Sequence, residues 1–567
     1  MICQTQTVEG ADLWQEHCRN AVRKFVMNVV IIDNDPQMDR LPDIPQVATL
    51  EDSGMDLAVD DDAEDLDDGD SVSEGTDHTL YVREISDAFS EEEIACAFVF
   101  PEEEKSDRET IKARVLASTN TADIVVIDWY LSDKNPVLTT EILQAIAEAD
   151  VKENGRMRLI CVYTGQVNTE SVLHDASEAL IAGGLIFDRI EEKKCCAVGK
   201  HHSLIVLNKS EVNGKELPSY LLDALTRFAD GLLPAFALAA VAAVRRNVHH
   251  IITRFSSDHD AAYVANRLIT NPPGEVAELI RELFVSECDT ALGLEKVADN
   301  YLEPSQIKHW LESRQLPNSE KAVKLNSEYD VDGVFIEALL ENGLSDEKLS
   351  INDKQVKFSE GKRMLVSEAL HGAKKESKIG ESSLARFVAL KREMYGNTKT
   401  KSAEGWTPSL TLGTLLRQKI QEGENHIFEY YYCLSPACST IRLEGKSRTF
   451  LMLRLVEGAK KANLILNVNS DETKGFHVDT RPMNLRTFEF NGSNTTGRVH
   501  ATLKGEEGGM FSFKSTDDRE PELSWLGEVR RNRATRDMSE LNRQWLKLGI
   551  KDLEFLRLSG EGKIKAD

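Results

Sequence analysis

Asp33, Asp128, Thr164 and Lys209 each stand where a short apolar run stops. Val29–Ile32 runs into Asp33, Ile124–Ile127 into Asp128, Leu159–Tyr163 into Thr164, and Leu204–Asn208 into Lys209. Two acids, a hydroxyl and an ammonium, in that order, are the groups that phosphorylation of a carboxylate requires. A carboxylate is a poor nucleophile toward a phosphoryl group until charge on the transferring oxygens is neutralised. A hard cation such as Mg2+ held by carboxylates supplies part of that neutralisation, and a lysine supplies the rest. A hydroxyl then hydrogen-bonds the phosphoryl group once it has arrived.

Continuous apolar runs of this length suit strands buried on both faces of a parallel sheet. In an open α/β sheet, functional groups collect beyond the carboxyl ends of the strands. One apolar run ending in Asp says little; this ordered set, with helix-like segments between its members, says much. On these residues, the stretch from 25 to about 230 resembles a response-regulator receiver domain. The resemblance implies a flavodoxin-like fold with a five-stranded parallel sheet, whose second strand is expected at Ile94–Phe100. It implies Asp128 as phosphoacceptor, and a Mg2+ site made by Asp33, Asn34, Asp128 and the backbone carbonyl of Tyr130. Thr164, with small Gly165 behind it, takes the place of the switch hydroxyl, and Lys209 that of the phosphoryl-binding cation.

The chain also departs from that pattern. Receivers usually carry two adjacent acids after the first strand; here Asn34 takes the second place, and Asp35 follows. A neutral amide offers an oxygen but removes one unit of charge, so Mg2+ is expected to bind less tightly. The position three before Lys209, commonly aromatic in the family, is Val206, so the usual hydroxyl-to-aromatic rotamer coupling lacks its second member. Ser210 replaces the proline that commonly follows the lysine, and no cis peptide is implied there. A degenerate receiver that keeps the shape and docks partners without chemistry is the alternative.

At 567 residues, the chain is too long for one core, and two to four domains are expected. Hydrophobic content of 41% and charged content of 29% are those of an ordinary globular protein. A net charge of −27 argues against general nucleic-acid binding, which needs a positive footprint, so no DNA partner is expected. Nine cysteines without framework spacing point to a reducing, cytoplasmic setting. Glu9, Asp12 and Glu16, with no apolar core segment near them, leave no signal peptide to expect. The apolar stretch Leu232–Val244 is too short to span a membrane, contains Pro234, and runs into Arg245 and Arg246; a core helix is expected.

The pattern along the chain divides it as follows. An N-terminal helix occupies residues 1–24, and the receiver 25–230 carries an acidic insert at 41–82. A helical segment follows at 231–320, a charged linker or helical region at 321–400, a β-rich domain at 401–515, and terminal helices at 516–567. Glu51–Asp77 contains no Lys or Arg, and its repeated acids predict a solvated surface loop. Within it, Asp60–Asp70 lacks the mid-loop glycine and the closing glutamate of a calcium-binding EF-hand loop. Cys195-Cys196 and His201-His202 have a spacing that suits a soft metal, yet a surface loop at the sheet end away from the acids is expected. His249-His250 and Asp258-His259-Asp260 lack the companions of a hydrolase site and are expected at the surface.

In the C-terminal half, Phe428–Cys433, Arg448–Leu453, Asn463–Val468, Thr487–Phe490 and Met510–Phe513 read as strands. Trp525–Asn542 and Trp545–Leu558 read as helices, with Arg530, Arg531, Arg533, Arg536 and Arg543 giving a basic face toward an acidic partner or solvent. Cys433 and Cys438 are a lone pair, too few for a structural zinc. No phosphate-cradling glycine loop, nucleophile elbow or metal-ligand triad is visible there, so no enzyme is expected.

A second resemblance covers most of the chain. Gly231–Leu238 through Arg245–His249, the run Tyr431–Cys438, and the tail from Glu540 are similar to the non-effector receiver protein of Detocs-type phage-defence two-component systems. That resemblance implies a sensor histidine kinase as partner and a separate effector, which itself bears a receiver in the arrangement envisaged; a homodimer stays open. Three readings compete: a phosphoacceptor that drains or relays phosphate, a docking scaffold, and an effector whose C-terminal activity is unrecognised.

Overall fold

The computed structural model describes residues 2–544 apart from 35, 39–79, 102–106, 133–134, 154, 271–273, 318–322, 326–328, 345–347, 352–353, 396–405, 423–424, 444, 459–461, 505–509 and 518–521. The acidic run Glu51–Asp77, Asp35 and the helix expected at Trp545–Leu558 therefore lie outside the described residues. The chain forms two compact units, Met1–Ile251 with Cys288–Gln315, and Ile252–Glu287 with Leu316–Asp567.

The first unit is built on β1 (Asn28–Ile32), β2 (Ala95–Val99), β3 (Ile124–Ile127), β4 (Arg158–Thr164), β5 (Phe187–Glu191), β6 (Cys196–Gly199) and β7 (His202–Asn208). Their spatial order is β2-β1-β3-β4-β7-β6-β5, and the first five in that order run parallel. Alternate residues face opposite ways, as strand geometry requires. Val29, Ile31, Val126, Cys161 and Ile205 enter one core, and Val30, Ile32, Val125, Val162 and Val206 enter the other. Both faces are thus covered, which explains runs that are apolar at every position.

The sheet has seven strands, not the five expected. The two extra strands, β5 and β6, form an antiparallel hairpin that continues the sheet beyond β7. Its turn is a 3-10 segment at Glu192–Lys194 followed by Cys195 in the left-handed region, φ 47°. This corrects the surface-loop expectation for one member of each pair, while Cys195 and His201 lie in the connecting turns. Cys196 is buried opposite Ile205 at the start of β6, and buried His202 pairs with Arg158 at the start of the parallel strands. Short polar and charged residues between two strands had masked the hairpin's periodicity.

Helices α1 (Ile2–Phe25), α2 (Val82–Glu91), α3 (Arg108–Thr119), α4 (Val137–Lys152), α5 (Thr169–Ala182), α6 (Leu217–Ala229) and α7 (Leu232–Arg246) clothe the sheet. Residues of α1, α2, α6 and α7 complete the first core, and those of α3, α4 and α5 the second. The apolar stretch at Leu232 is α7, whose Leu238, Ala239, Ala242 and Ala243 are buried. Among the described residues no helix is long and apolar enough to cross a membrane; α6 and α7 meet the composition together but are bent by 118°. Arg245 closes α7 against the sheet, donating to both oxygens of Asp123 at 3.3 and 3.1 Å and to the Phe25 carbonyl at 2.9 Å. The helical stretch after residue 231 does not stay in one unit, because residues 252–287 group with the C-terminal half.

The second unit centres on an eight-stranded antiparallel sheet. In chain order its strands are β8 (Leu390–Glu393), β9 (Thr414–Glu422), β10 (Asn425–Cys433), β11 (Ser447–Arg454), β12 (Leu485–Asn491), β13 (Thr502–Lys504), β14 (Met510–Phe513) and β15 (Leu523–Val529). Leu415, Tyr430, Tyr432 and Leu453 pack on one face, and Leu416, Tyr431, Cys433 and Met452 on the other. Leu464–Asn467 forms a strand in a separate three-stranded sheet. One correction concerns Trp525, expected to begin a helix. It lies buried within β15, which pairs with β8, β9 and β14, and the helix occupies residues 531–544. Pairing on both sides outweighs the helix-forming residues nearby. A side chain at Gly527 would stand 2.5 Å from the Arg392 carbonyl, so this glycine permits the close approach of β8.

Candidate phosphoacceptor site

Strand register brings the chemistry-bearing residues to one edge. Ile32 is level with Val99 and Ile127, Ile127 with Val162, and Thr164 with Asn208. Asp33, Asp128, Thr164 and Lys209 therefore emerge together from the carboxyl ends of β1, β3, β4 and β7. The backbone locks this edge: Asp33 N–H donates to the Val99 carbonyl at 3.3 Å, and Asp128 N–H to Ile32 at 2.9 Å. Lys209 N–H donates to the Thr164 carbonyl at 2.8 Å.

The Lys209 ammonium bridges two carboxylates, at 3.0 Å from Asp33 Oδ2 and 2.8 Å from Asp128 Oδ1. All three side chains are largely buried, with 7% of Lys209, 3% of Asp33 and 13% of Asp128 exposed. Burial alone pulls the lysine toward its neutral form. The charges of Asp128 and Asp33, with their hydrogen bonds, outweigh that and raise its pKa above the ordinary lysine value. The Tyr163 ring lies 5.7 Å from the same ammonium, and its hydroxyl donates to the Val212 carbonyl at 2.6 Å.

The second oxygen of Asp128 is held as well: Oδ2 accepts from the Tyr130 N–H at 2.9 Å. Asp128 thus has one oxygen on a cation and one on a backbone amide. Thr164 is buried, and its hydroxyl accepts from the Gln166 N–H at 3.2 Å. Asn34, by contrast, is exposed at the rim.

Two carboxylates sharing one ammonium keep a net negative charge when both are ionised. Asp33 and Asp128 are the two carboxylates that could hold a hard cation here, with the Asn34 amide oxygen and the Tyr130 carbonyl as the neutral oxygens that could join them. One or two carboxylates with further oxygens is how Mg2+ is commonly held. Among the described residues no group of three or more His, Cys, Asp or Glu is placed to hold a metal. A cation held here would therefore depend on neutral oxygens as well as acids.

Three supporting residues carry no signal of their role in the sequence. Thr139, fully buried on α4, shares its hydroxyl proton between the carbonyls of Trp129 at 2.9 Å and Asp128 at 3.2 Å. Asn208 accepts from the Ser210 N–H at 2.8 Å and hydroxyl at 2.7 Å, and its amide donates to the Gln166 carbonyl at 2.9 Å. The turn after Lys209 is thereby shaped by side-chain hydrogen bonds where the family commonly has proline. Tyr163 is the third. The spacing of an isolated threonine or asparagine carries no signal for such roles.

The other flagged residues belong to other elements of the chain. His249, His250, Asp258, His259 and Asp260 are exposed, while Cys433 is buried and Cys438 exposed in the second unit. Arg530 donates to the Phe387 carbonyl and Arg533 to the Asn463 carbonyl, so part of the expected basic face is engaged within its own unit.

Residues 25–215, which contain all of Asp33, Asn34, Asp128, Tyr130, Thr164 and Lys209, match the family model of the response receiver domain. No curated protein and no solved structure matches the chain. The family match supports a response-regulator-like role in a two-component system and implies a phosphodonor such as a histidine kinase.

Proposed function

We propose that the protein accepts a phosphoryl group on Asp128 from a sensor histidine kinase and acts as a phosphate sink or regulator in a bacterial anti-phage relay. The observation that carries this reading is the Lys209 ammonium set between Asp33 and Asp128 at the carboxyl edge of the parallel sheet. Asp128 Oδ1 is the oxygen beside the cation that would neutralise the incoming phosphoryl charge. Asp33, Asn34, Asp128 and the Tyr130 carbonyl would hold Mg2+, which when bound supplies further charge neutralisation at the phosphoryl oxygens. Attack by a carboxylate oxygen on phosphorus forms the acyl phosphate and leaves the donor imidazole free. The Lys209 charge then passes from the carboxylate to the phosphoryl oxygens, and the Thr164 hydroxyl becomes available to hydrogen-bond the new group.

The reading assigns no reaction of its own to the second unit and no DNA target to the chain. It favours a sink over a relay because neither half carries a recognisable output module. The cytoplasm is the compartment it requires. A docking scaffold is the second reading, favoured by Asn34, which leaves the metal site one charge short.

Placing Asp128→Asn in the intact operon tests these readings together. A sink that loses its acceptor makes the operon toxic without infection. A relay that loses it abolishes defence without toxicity. Full defence with normal growth would overturn phosphate acceptance and leave the scaffold.

A further inference from the structure

We propose that the cavity between the β5–β6 hairpin and α6 is a binding site for an organic phosphate that carries a planar ring. The cavity has a volume of about 410 Å3, within the range of roughly 300–1,000 Å3 usual for small-molecule sites. Its lining includes none of Asp33, Asp128, Thr164 and Lys209, and comes from the extra strands of the sheet, β7 and α6.

Its charge is the reason for the ligand class. Arg189, Lys194 and Arg227 line it, against one acid, Glu191. Glu191 is shared by two of the cations, 3.2 Å from Arg189 Nε and 2.9 Å from Lys194 Nζ. The hydrogen bond from Lys194 holds that carboxyl below its ordinary range, so it stays ionised. Even so, the side chains of Arg189 and Lys194 remain 66% and 76% exposed, with donors to spare. Arg227 has no carboxylate within ion-pair distance among the described residues; one of its N–H groups donates to the Ser203 hydroxyl at 3.3 Å. A net positive cavity on a chain of charge −27 is a local inversion of the surrounding field, which concentrates small anions. Two guanidinium forks and an ammonium suit a phosphate dianion better than a single carboxylate.

The remaining lining selects the rest of the ligand. Ile205, Leu207 and Ala224 give an apolar floor, and Tyr220, half exposed, stands at the wall. An aromatic ring with an apolar face beside a cationic cluster fits a planar ring joined to a phosphate. Neither feature belongs to the phosphoacceptor site, so the two can be tested apart.

Isothermal titration of the full chain with AMP, and separately with inorganic phosphate, tests the site. AMP is expected to bind saturably, and more tightly than phosphate. Arg227→Gln and Arg189→Gln should each weaken AMP about tenfold, the effect of losing a charge-assisted bond. Tyr220→Ala should weaken AMP while leaving phosphate unchanged, and Asp128→Ala should alter neither. Unchanged thermal unfolding of each variant confirms that the fold is intact. Absence of saturable AMP binding below about 10 mM, or binding indifferent to both arginine changes, would overturn the proposal. Displacement of AMP only by a polyglutamate peptide, with no AMP selectivity over phosphate, would overturn it in favour of an acidic protein partner.

Discussion

The Thr139 hydroxyl reaches across from α4 to the Trp129 carbonyl at 2.9 Å and the Asp128 carbonyl at 3.2 Å, pinning the main chain of the acceptor from behind. The acceptor side chain is then fixed from the front by Lys209 and the Tyr130 amide. A helix that packs on the sheet therefore sets the geometry of the strand end it covers.

Thr139→Val keeps the shape of the side chain and removes this donor. Burial leaves both carbonyls without a replacement, so stability should fall by about 1–2 kcal/mol. Phosphorylation should slow as the loop loosens. Urea denaturation and the initial rate of labelling check the two effects. A variant as stable as the parent would show that water or the backbone already satisfies these carbonyls.

The buried lysine gives the molecule a pH dependence with a definite sign. Lys209 has its pKa raised on folding by Asp128 and Asp33 despite burial. Its stabilisation is therefore complete below the ordinary lysine value of 10.5 and is lost as pH rises through the higher folded value. Thermal unfolding should show wild type exceeding Lys209→Met at neutral pH, with the gap closing above about pH 10.5. A gap that widens with alkali would contradict the bridge.

Asn34→Asp restores a second adjacent acid at the exposed rim. One more carboxylate at a hard-cation site should lower the Mg2+ concentration that half-saturates phosphorylation by several-fold. Titrating Mg2+ in a labelling assay with a small phosphodonor reads this directly. An unchanged or higher requirement would mean that another group already fills the place.

How much of this was legible from residues depended on whether the signal was local. Each strand that runs up to Asp33, Asp128, Thr164 and Lys209 is apolar at nearly every position, because both of its faces are buried. That property survives in a linear reading. The β5–β6 hairpin does not have it: Phe187–Glu191 is mostly exposed and charged, and it becomes a strand only through pairing with β6. Likewise, Trp525 sits among helix-forming residues and is a strand because three neighbours pair with β15. Thr139 and Asn208 act through hydrogen bonds whose partners are set by the tertiary fold. The doubly buried parallel strands and the residues at their ends could be read from pattern, whereas edge pairing and support of the acceptor loop could not.

The most direct measurement is to incubate the full chain with Mg2+ and a small phosphodonor or its purified kinase, and map the label by mass spectrometry. A single alkali-labile, hydroxylamine-sensitive phosphoryl group on Asp128 is expected, absent from Asp128→Ala and strongly reduced in Lys209→Met. No label on the wild type, or a label that persists in Asp128→Ala, would contradict the assignment of Asp128 as phosphoacceptor.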